Sequence, residues 1–103
     1  MKVLNVEYDS DYFPGCDTCD YGSKYITDFT IIYEDHKTNY RIEGNNSKLI
    51  SEGKLMTILA NANSEKEIND NIIQGCKDKL KSSSINYYGG KLFIDDKEVN
   101  INE

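Results

Sequence analysis

Apolar and polar residues alternate with a period of two in the N-terminal part of the chain, which is the pattern of β-strands that bury one face. The alternation predicts a first strand over residues 2–8, a second over 24–34 and a third over 38–43. Both faces of the second strand carry apolar or β-branched residues, so we expect a central strand covered on both sides. Turn-forming residues predict that 9–22 is a loop.

The spacing of apolar residues changes to that of helices after residue 50. A short helix is predicted over residues 51–62, and a longer one begins at a capping box formed by Ser64 and Glu67. Apolar residues then recur every four positions, which forms the stripe that a helix buries against a core. The members of this stripe are Ile68, Ile72, Cys76 and Leu80.

Three short strands are predicted at the C-terminus, over residues 85–88, 91–94 and 98–101, separated by a Gly-Gly and an Asp-Asp turn. The order β-β-β-α-α-β-β-β predicts an α+β fold. We expect an antiparallel sheet of about five to six short strands with two helices packed on one face. No linker or repeat interrupts the pattern, so residues 1–103 are expected to form a single domain.

The net charge of the chain lies entirely in its first third. Residues 1–35 contain eight acidic residues and two lysines, a charge of −6, whereas residues 36–103 contain ten acidic and ten basic residues. A negative potential confined to one region attracts basic partners and repels the phosphates of nucleic acids. We therefore expect a basic protein as the partner, and no direct contact with nucleic acid or membrane.

Residues 7–20 form the densest acidic stretch, which contains no lysine or arginine and is interleaved with aromatic residues. Acidic runs are most often solvated surface, but aromatic side chains among charges are typical of protein interfaces. The mixture favours a partner-binding surface. Its predicted members are Glu7, Asp9, Asp11, Tyr12, Phe13, Asp17, Asp20 and Tyr21. Calcium is a weaker alternative, because the carboxylates lack the rest of an EF-hand loop.

Cys16 and Cys19 form a Cys-x-x-Cys motif, the spacing at which two thiolates grip one zinc ion from a tight turn. A structural zinc site needs four ligands, and Cys76 and His36, or a second copy in a dimer, are the candidates for the rest. Against them, Cys76 lies on the apolar helix stripe and His36 at a predicted hairpin tip. Flanking carboxylates disfavour a redox role. A turn with packed cysteines and no cofactor is the remaining interpretation.

The sequence offers no catalytic constellation. It has one histidine, no nucleophile signature and no phosphate-binding glycine loop, so we expect no enzymatic activity. No apolar run of signal-peptide length is present, and three cysteines is an odd number for a disulfide framework. These features favour the cytoplasm, here of a host bacterial cell, and either a monomer or a dimer.

Two resemblances bear on function. The segment GCDTCDYGS, residues 15–23, is similar to a knuckle found in small phage and mobile-element proteins of no known activity. In size, acidity and α+β layout the chain also resembles anti-CRISPR proteins, several families of which occupy the DNA-binding groove of an RNA-guided nuclease. This resemblance implies an inhibitor whose carboxylates stand in for phosphates at the N-terminal face. The alternative is a zinc-knuckle structural or adaptor protein that uses Cys16 and Cys19.

Overall fold

Five strands and two helices are found in the described part of the chain. The structure, a computed structural model, describes residues 2–14, 23–45, 48–82 and 89–101. The elements are β1 (Val3–Phe13), β2 (Lys24–Tyr33), β3 (Lys37–Asn45), α1 (Glu52–Asn61), α2 (Glu65–Ser82), β4 (Gly90–Ile94) and β5 (Lys97–Val99). The predicted α+β fold is confirmed.

The strands form one antiparallel sheet in the order of the chain, β1-β2-β3-β4-β5. The antiparallel sheet with two helices was therefore predicted correctly. A further strand predicted over residues 85–88 lies outside the described residues. The order places β1 and β5 at the two edges of the sheet, and the remaining three strands between them.

β1 is longer than the strand predicted from the sequence. A loop was expected from Asp9 onward, but the strand continues to Phe13, and each residue of this extension pairs with a residue of β2. For residues 9–13 the prediction was wrong because Asp9 and Asp11 were weighed as turn residues, and residues 15–22 of the predicted loop lie outside the described residues. Their even spacing instead continues the alternation of the strand, and this extension places them in the sheet.

One face of the sheet is covered and the other is open. The covered face packs in one core with the apolar stripes of both helices. β2 contributes Phe29, Ile31 and Tyr33 to this core, and Thr27 is buried on the same face. On the opposite face Ile26, Thr30 and Ile32 are only half-buried. Within the described residues, the expectation that β2 is covered on both sides was wrong, because α1 and α2 pack into the same core.

Hydroxyl groups cap both helices. Ser51 accepts a hydrogen bond from the Lys54 N–H at 3.1 Å at the start of α1. At the start of α2, Ser64 accepts from the Glu67 N–H at 3.2 Å, and the Glu67 carboxylate accepts from the Asn63 N–H at 3.2 Å. The first half of the predicted capping box is confirmed, while the reciprocal bond goes to the residue before the cap.

Two local features fix the C-terminal hairpin. Asp95 and Asp96 both adopt positive φ, 48° and 68°, as the tight turns of twisted hairpins require. Asp95 also fastens the turn to β3, because its carboxylate accepts from the Asn39 N–H at 2.9 Å. At the start of β4, a β-carbon on Gly90 would lie 2.8 Å from the Glu43 carbonyl oxygen, so only glycine fits there.

Candidate partner-binding site

The open face of β1 carries a row of three carboxylates. Glu7, Asp9 and Asp11 alternate along the strand, and all three are exposed. Successive members are about 6.8 Å apart, because each residue of a strand advances by about 3.4 Å. We call these three residues the acidic row. No lysine or arginine of the described chain lies within ion-pair distance of the row, so its charge faces solvent.

The neighbouring strands also carry charges on this face, and four of those charges form two ion pairs. Asp28 of β2 lies directly opposite Asp9, and facing like charges are unfavourable in an antiparallel pair. Arg41 of β3 lies on the other side of Asp28 and pairs with it at 3.2 Å. Lys24 and Glu43 pair in the same way at 3.5 Å. Among the described residues, the carboxylates of β2 and β3 on the open face are therefore paired, Lys37 of β3 adds one unpaired positive charge, and the carboxylates of β1 have no partner.

The two aromatic residues predicted to anchor a partner lie on opposite faces of β1. Phe13 follows the acidic row on the open face, whereas Tyr12 lies on the covered side, where its ring centroid is 4.9 Å from that of Tyr25. Both are exposed, and so is Leu4, which a bulge in β1 leaves as an extra residue. Three of the four large apolar side chains exposed in the described chain thus belong to β1. Such clustering is typical of interaction surfaces.

Five predicted site residues lie outside the described residues: Cys16, Asp17, Cys19, Asp20 and Tyr21. Their roles in binding a partner or zinc stay predictions from the sequence. The described part of the predicted surface consists of the acidic row together with Tyr12 and Phe13. The fold brings these five residues together on a single strand.

The fold separates Cys76 from His36, the two further zinc ligands that the sequence offered. His36 lies beside Glu65 at the start of α2, whereas Cys76 lies roughly three turns farther along that helix, about 16 Å away at 1.5 Å per residue. Cys76 is fully buried, and burial raises the pKa of its thiol to about 12. In the described chain Cys76 and His36 therefore lie too far apart to be ligands of one ion, while a zinc site that uses Cys16 and Cys19 stays a prediction. No three His, Cys, Asp or Glu side chains of the described chain converge on a metal position.

His36 instead fastens the β2–β3 turn to α2. Its Nδ1 lies 2.7 Å from the Asp35 carboxylate and its Nε2 lies 2.9 Å from that of Glu65. The ring also stacks on Tyr33, with centroids 4.6 Å apart. Hydrogen bonds to Asp35 and then Glu65 raise the pKa of His36, because they favour the protonated ring that donates from both nitrogens. The hydrogen bond from His36 lowers the pKa of Asp35 in turn.

Further polar contacts hold this end of the sheet against α2. Thr38 donates to the second carboxylate oxygen of Glu65 at 2.6 Å, and Tyr40 donates to Asn69 one turn along the helix. Burial, with a contribution from the Glu65 carboxylate, raises the pKa of Tyr33 to about 12, and burial also raises that of Tyr40. Both phenols stay protonated at neutral pH, so these contacts position elements and do not supply a titrating group.

Two residues that lie on or beside β1, Leu4 and Asp28, were not identified from the sequence. Simple alternation over residues 2–8 puts Leu4 on the same face as Val6 and Tyr8, and a bulge becomes visible only when the pairing register is known. Asp28 was not assigned to the surface, although the alternation of β2 already placed it on the face opposite Phe29. The signal for Asp28 was therefore present in the sequence, and the signal for Leu4 was not.

Comparisons with known proteins give no assignment. No protein-family model matches the chain, and neither does any curated protein or solved structure. Of the described helices, neither has the length and apolar character needed to cross a membrane. Function is therefore inferred from the surface of β1.

Proposed function

We propose that this chain is a non-enzymatic inhibitor that binds a basic, nucleic-acid-handling protein, with the acidic row standing in for phosphates. The observation that carries the proposal is an unneutralised row of carboxylates on one exposed strand, in a chain whose last two-thirds has no net charge. Arginine and lysine side chains that bind DNA phosphates also bind carboxylates. The resemblance to anti-CRISPR proteins implies an RNA-guided CRISPR nuclease as the partner.

Two kinds of contact support this function. Each ion pair at an exposed surface contributes about 0.2–1 kcal/mol, and such pairs set orientation and association rate more than affinity. Phe13 at the end of the acidic row and Tyr12 on the other face supply aromatic area, in which the energy of interfaces concentrates. Because the rest of the chain is neutral, the mimicry is local to the N-terminal face.

The test is a pull-down from bacterial cells that carry a CRISPR system. The baits are the native chain and a row variant (Glu7→Gln, Asp9→Asn, Asp11→Asn). We expect the native bait to enrich a nucleic-acid-binding protein and the row variant to enrich it about tenfold less, since three exposed pairs contribute on the order of 1–2 kcal/mol. Double-stranded DNA should compete for the partner, and added salt should weaken the complex by screening.

A matched control removes the same amount of charge elsewhere. The control variant combines Asp70→Asn, Asp78→Asn and Asp96→Asn, all at exposed positions away from β1. It should enrich the partner as the native bait does. If the row variant also behaves like the native bait, or if enrichment is indifferent to salt and to competing DNA, the acidic row is solvated surface and the mimicry account is wrong.

A further inference from the structure

β1 is both an edge of the described sheet and its longest strand. One side of β1 pairs with β2 along its length, and no described strand pairs with the other side. Successive residues of an antiparallel strand direct their N–H and C=O groups toward opposite neighbours. About half of the backbone groups of β1 therefore point toward the open edge, which makes this edge a template for another strand.

The side chains of β1 determine what can pair there. A strand added beside β1 would place alternate residues on the two faces of the sheet. Residues on the open face would lie next to the acidic row. Residues of the added strand on the covered face would lie next to Tyr8 and Tyr12. The Tyr8 hydroxyl is held in place because it donates a hydrogen bond to the Ile50 carbonyl oxygen at 3.0 Å. The complementary strand therefore alternates basic with apolar residues.

A second copy of the chain is a poor occupant of this edge. If two β1 strands paired antiparallel about Asp9, each Asp9 would face its counterpart and each Glu7 would face an Asp11. Like charges at facing positions are destabilising by about 0.2–1 kcal/mol for each pair. The charge that opposes self-pairing is the same charge that attracts a basic strand.

We infer that β1 engages its partner by strand addition. An extended segment in which basic residues alternate with apolar ones pairs with the open edge through main-chain hydrogen bonds, and its basic side chains face the acidic row. In this mode the main chain supplies affinity and the alternate side chains supply specificity. Exposed Leu4, Tyr12 and Phe13, all on this strand, add apolar contact to the same edge. The inference rests on the proposed function and specifies how the basic partner is held.

The experiment adds a synthetic peptide, as long as β1 and alternating lysine with valine, to the full chain. Hydrogen exchange of the β1 amides is the readout, because it separates amides bonded to β2 from those that point to the open edge. In the free chain, slowly and rapidly exchanging amides should alternate along β1. With peptide bound, the rapid set should slow by about tenfold or more, and the row variant should need about ten times more peptide.

Two control peptides separate strand addition from attraction between charges. One carries N-methyl groups on the residues that would donate to β1, so it keeps the charge and loses the hydrogen bonds. The other has glutamate in place of lysine. Neither should protect the rapid amides of β1.

Four results would overturn strand addition: equal binding of the N-methylated peptide, binding of the parent peptide without protection of β1, equal protection of β1 by the glutamate peptide, or no binding of the parent at all. Concentration-dependent protection in the free chain would also overturn it, because a second copy would then occupy the edge. None of these results bears on the pull-down, in which failure of the proposed function is seen as equal enrichment by the native bait and the row variant. The two proposals therefore fail separately.

Discussion

The two edges of the sheet differ in length and in charge. β1 has eleven residues, of which none is fully buried. β5 has three, and after it the chain turns inward to bury Ile101 in the core. A short edge strand offers few free backbone groups, which is one way in which proteins prevent unwanted pairing. β5 has this protection and β1 does not, so charge is what discriminates among strands that approach β1. The long acidic edge of β1 therefore favours pairing with basic strands, whereas the short edge of β5 disfavours pairing with any strand.

Truncating one apolar side chain near each edge should give the largest difference between the two edges in the free energy of unfolding. Ile101→Ala removes a fully buried side chain and should lower the free energy of unfolding by about 2–5 kcal/mol. Val6→Ala on β1 removes a half-buried one and should cost about 1 kcal/mol. Urea unfolding followed by circular dichroism measures both values. Equal losses would show that the two edges depend on the core alike.

Gly90→Ala disturbs the β5 side of the sheet without touching β1. The new β-carbon would meet the Glu43 carbonyl oxygen at 2.8 Å and Leu49 Cδ1 at 2.9 Å, so β4 must shift. We expect a loss of about 1–3 kcal/mol in the free energy of unfolding. Gly53→Ala is the control, because its β-carbon meets nothing within 4 Å and the helix gains about 0.5–1 kcal/mol. An unchanged midpoint for Gly90→Ala would contradict the close approach.

Neutralising the acidic row should make β1 more prone to pair with a second copy of the chain. The row variant loses the like charges that face each other when two β1 strands pair, about 0.2–1 kcal/mol for each pair. We expect it to self-associate at concentrations where the native chain does not, as measured by sedimentation. The Asp70, Asp78 and Asp96 control variant, with the same net charge, should sediment like the native chain. Association of the control to the same extent would assign the effect to net charge and not to the edge.

Changing the pH acts at the β2–β3 turn, beside the start of β1 but away from the acidic row, and should have the smallest effect. His36 has a raised pKa, so its stabilising contacts with Asp35 and Glu65 are complete below about pH 6.5, the usual value, and are lost as the pH rises through the folded-state value. His36→Gln should remove this part of the pH dependence of unfolding. Binding of the lysine–valine peptide at β1 should not show the pH dependence that His36 gives to unfolding. A parallel change in peptide binding would show that the turn and the edge are coupled.

The sequence predicted what local periodicity determines. The stripe from Ile68 to Leu80 and the alternation of β2 each depend on near neighbours, so both were found correctly. The extent of β1 was missed, because aspartate occurs both in turns and on the exposed faces of strands, so Asp9 and Asp11 alone do not distinguish the two. The contact of His36 with Glu65 was missed for another reason: it joins a turn to a helix far along the chain, and no local pattern encodes it.

The candidate site divides in the same way. The alternation of Glu7, Asp9 and Asp11 was visible in the sequence, and so was the lack of nearby bases. Their position on an edge strand was not visible, since strand order depends on which faces pack together. The separation of Cys76 from His36 likewise follows only from where α2 begins on the sheet. The sequence pattern therefore identified the acidic residues, whereas the strand order of the sheet placed them at an exposed edge.

The insertion of α1 and α2 between β3 and β4 also sets an order of assembly. β1, β2 and β3 pair between neighbours in the chain, whereas β4 reaches β3 only when Gly90 meets Gly44 across both helices. Closing a long loop costs more entropy than closing a short one, and such distant pairing slows folding. We expect docking of β4 to limit the folding rate. The acidic edge thus belongs to the half of the sheet that forms by local pairing. We expect it to form before the short edge strand β5 joins the sheet.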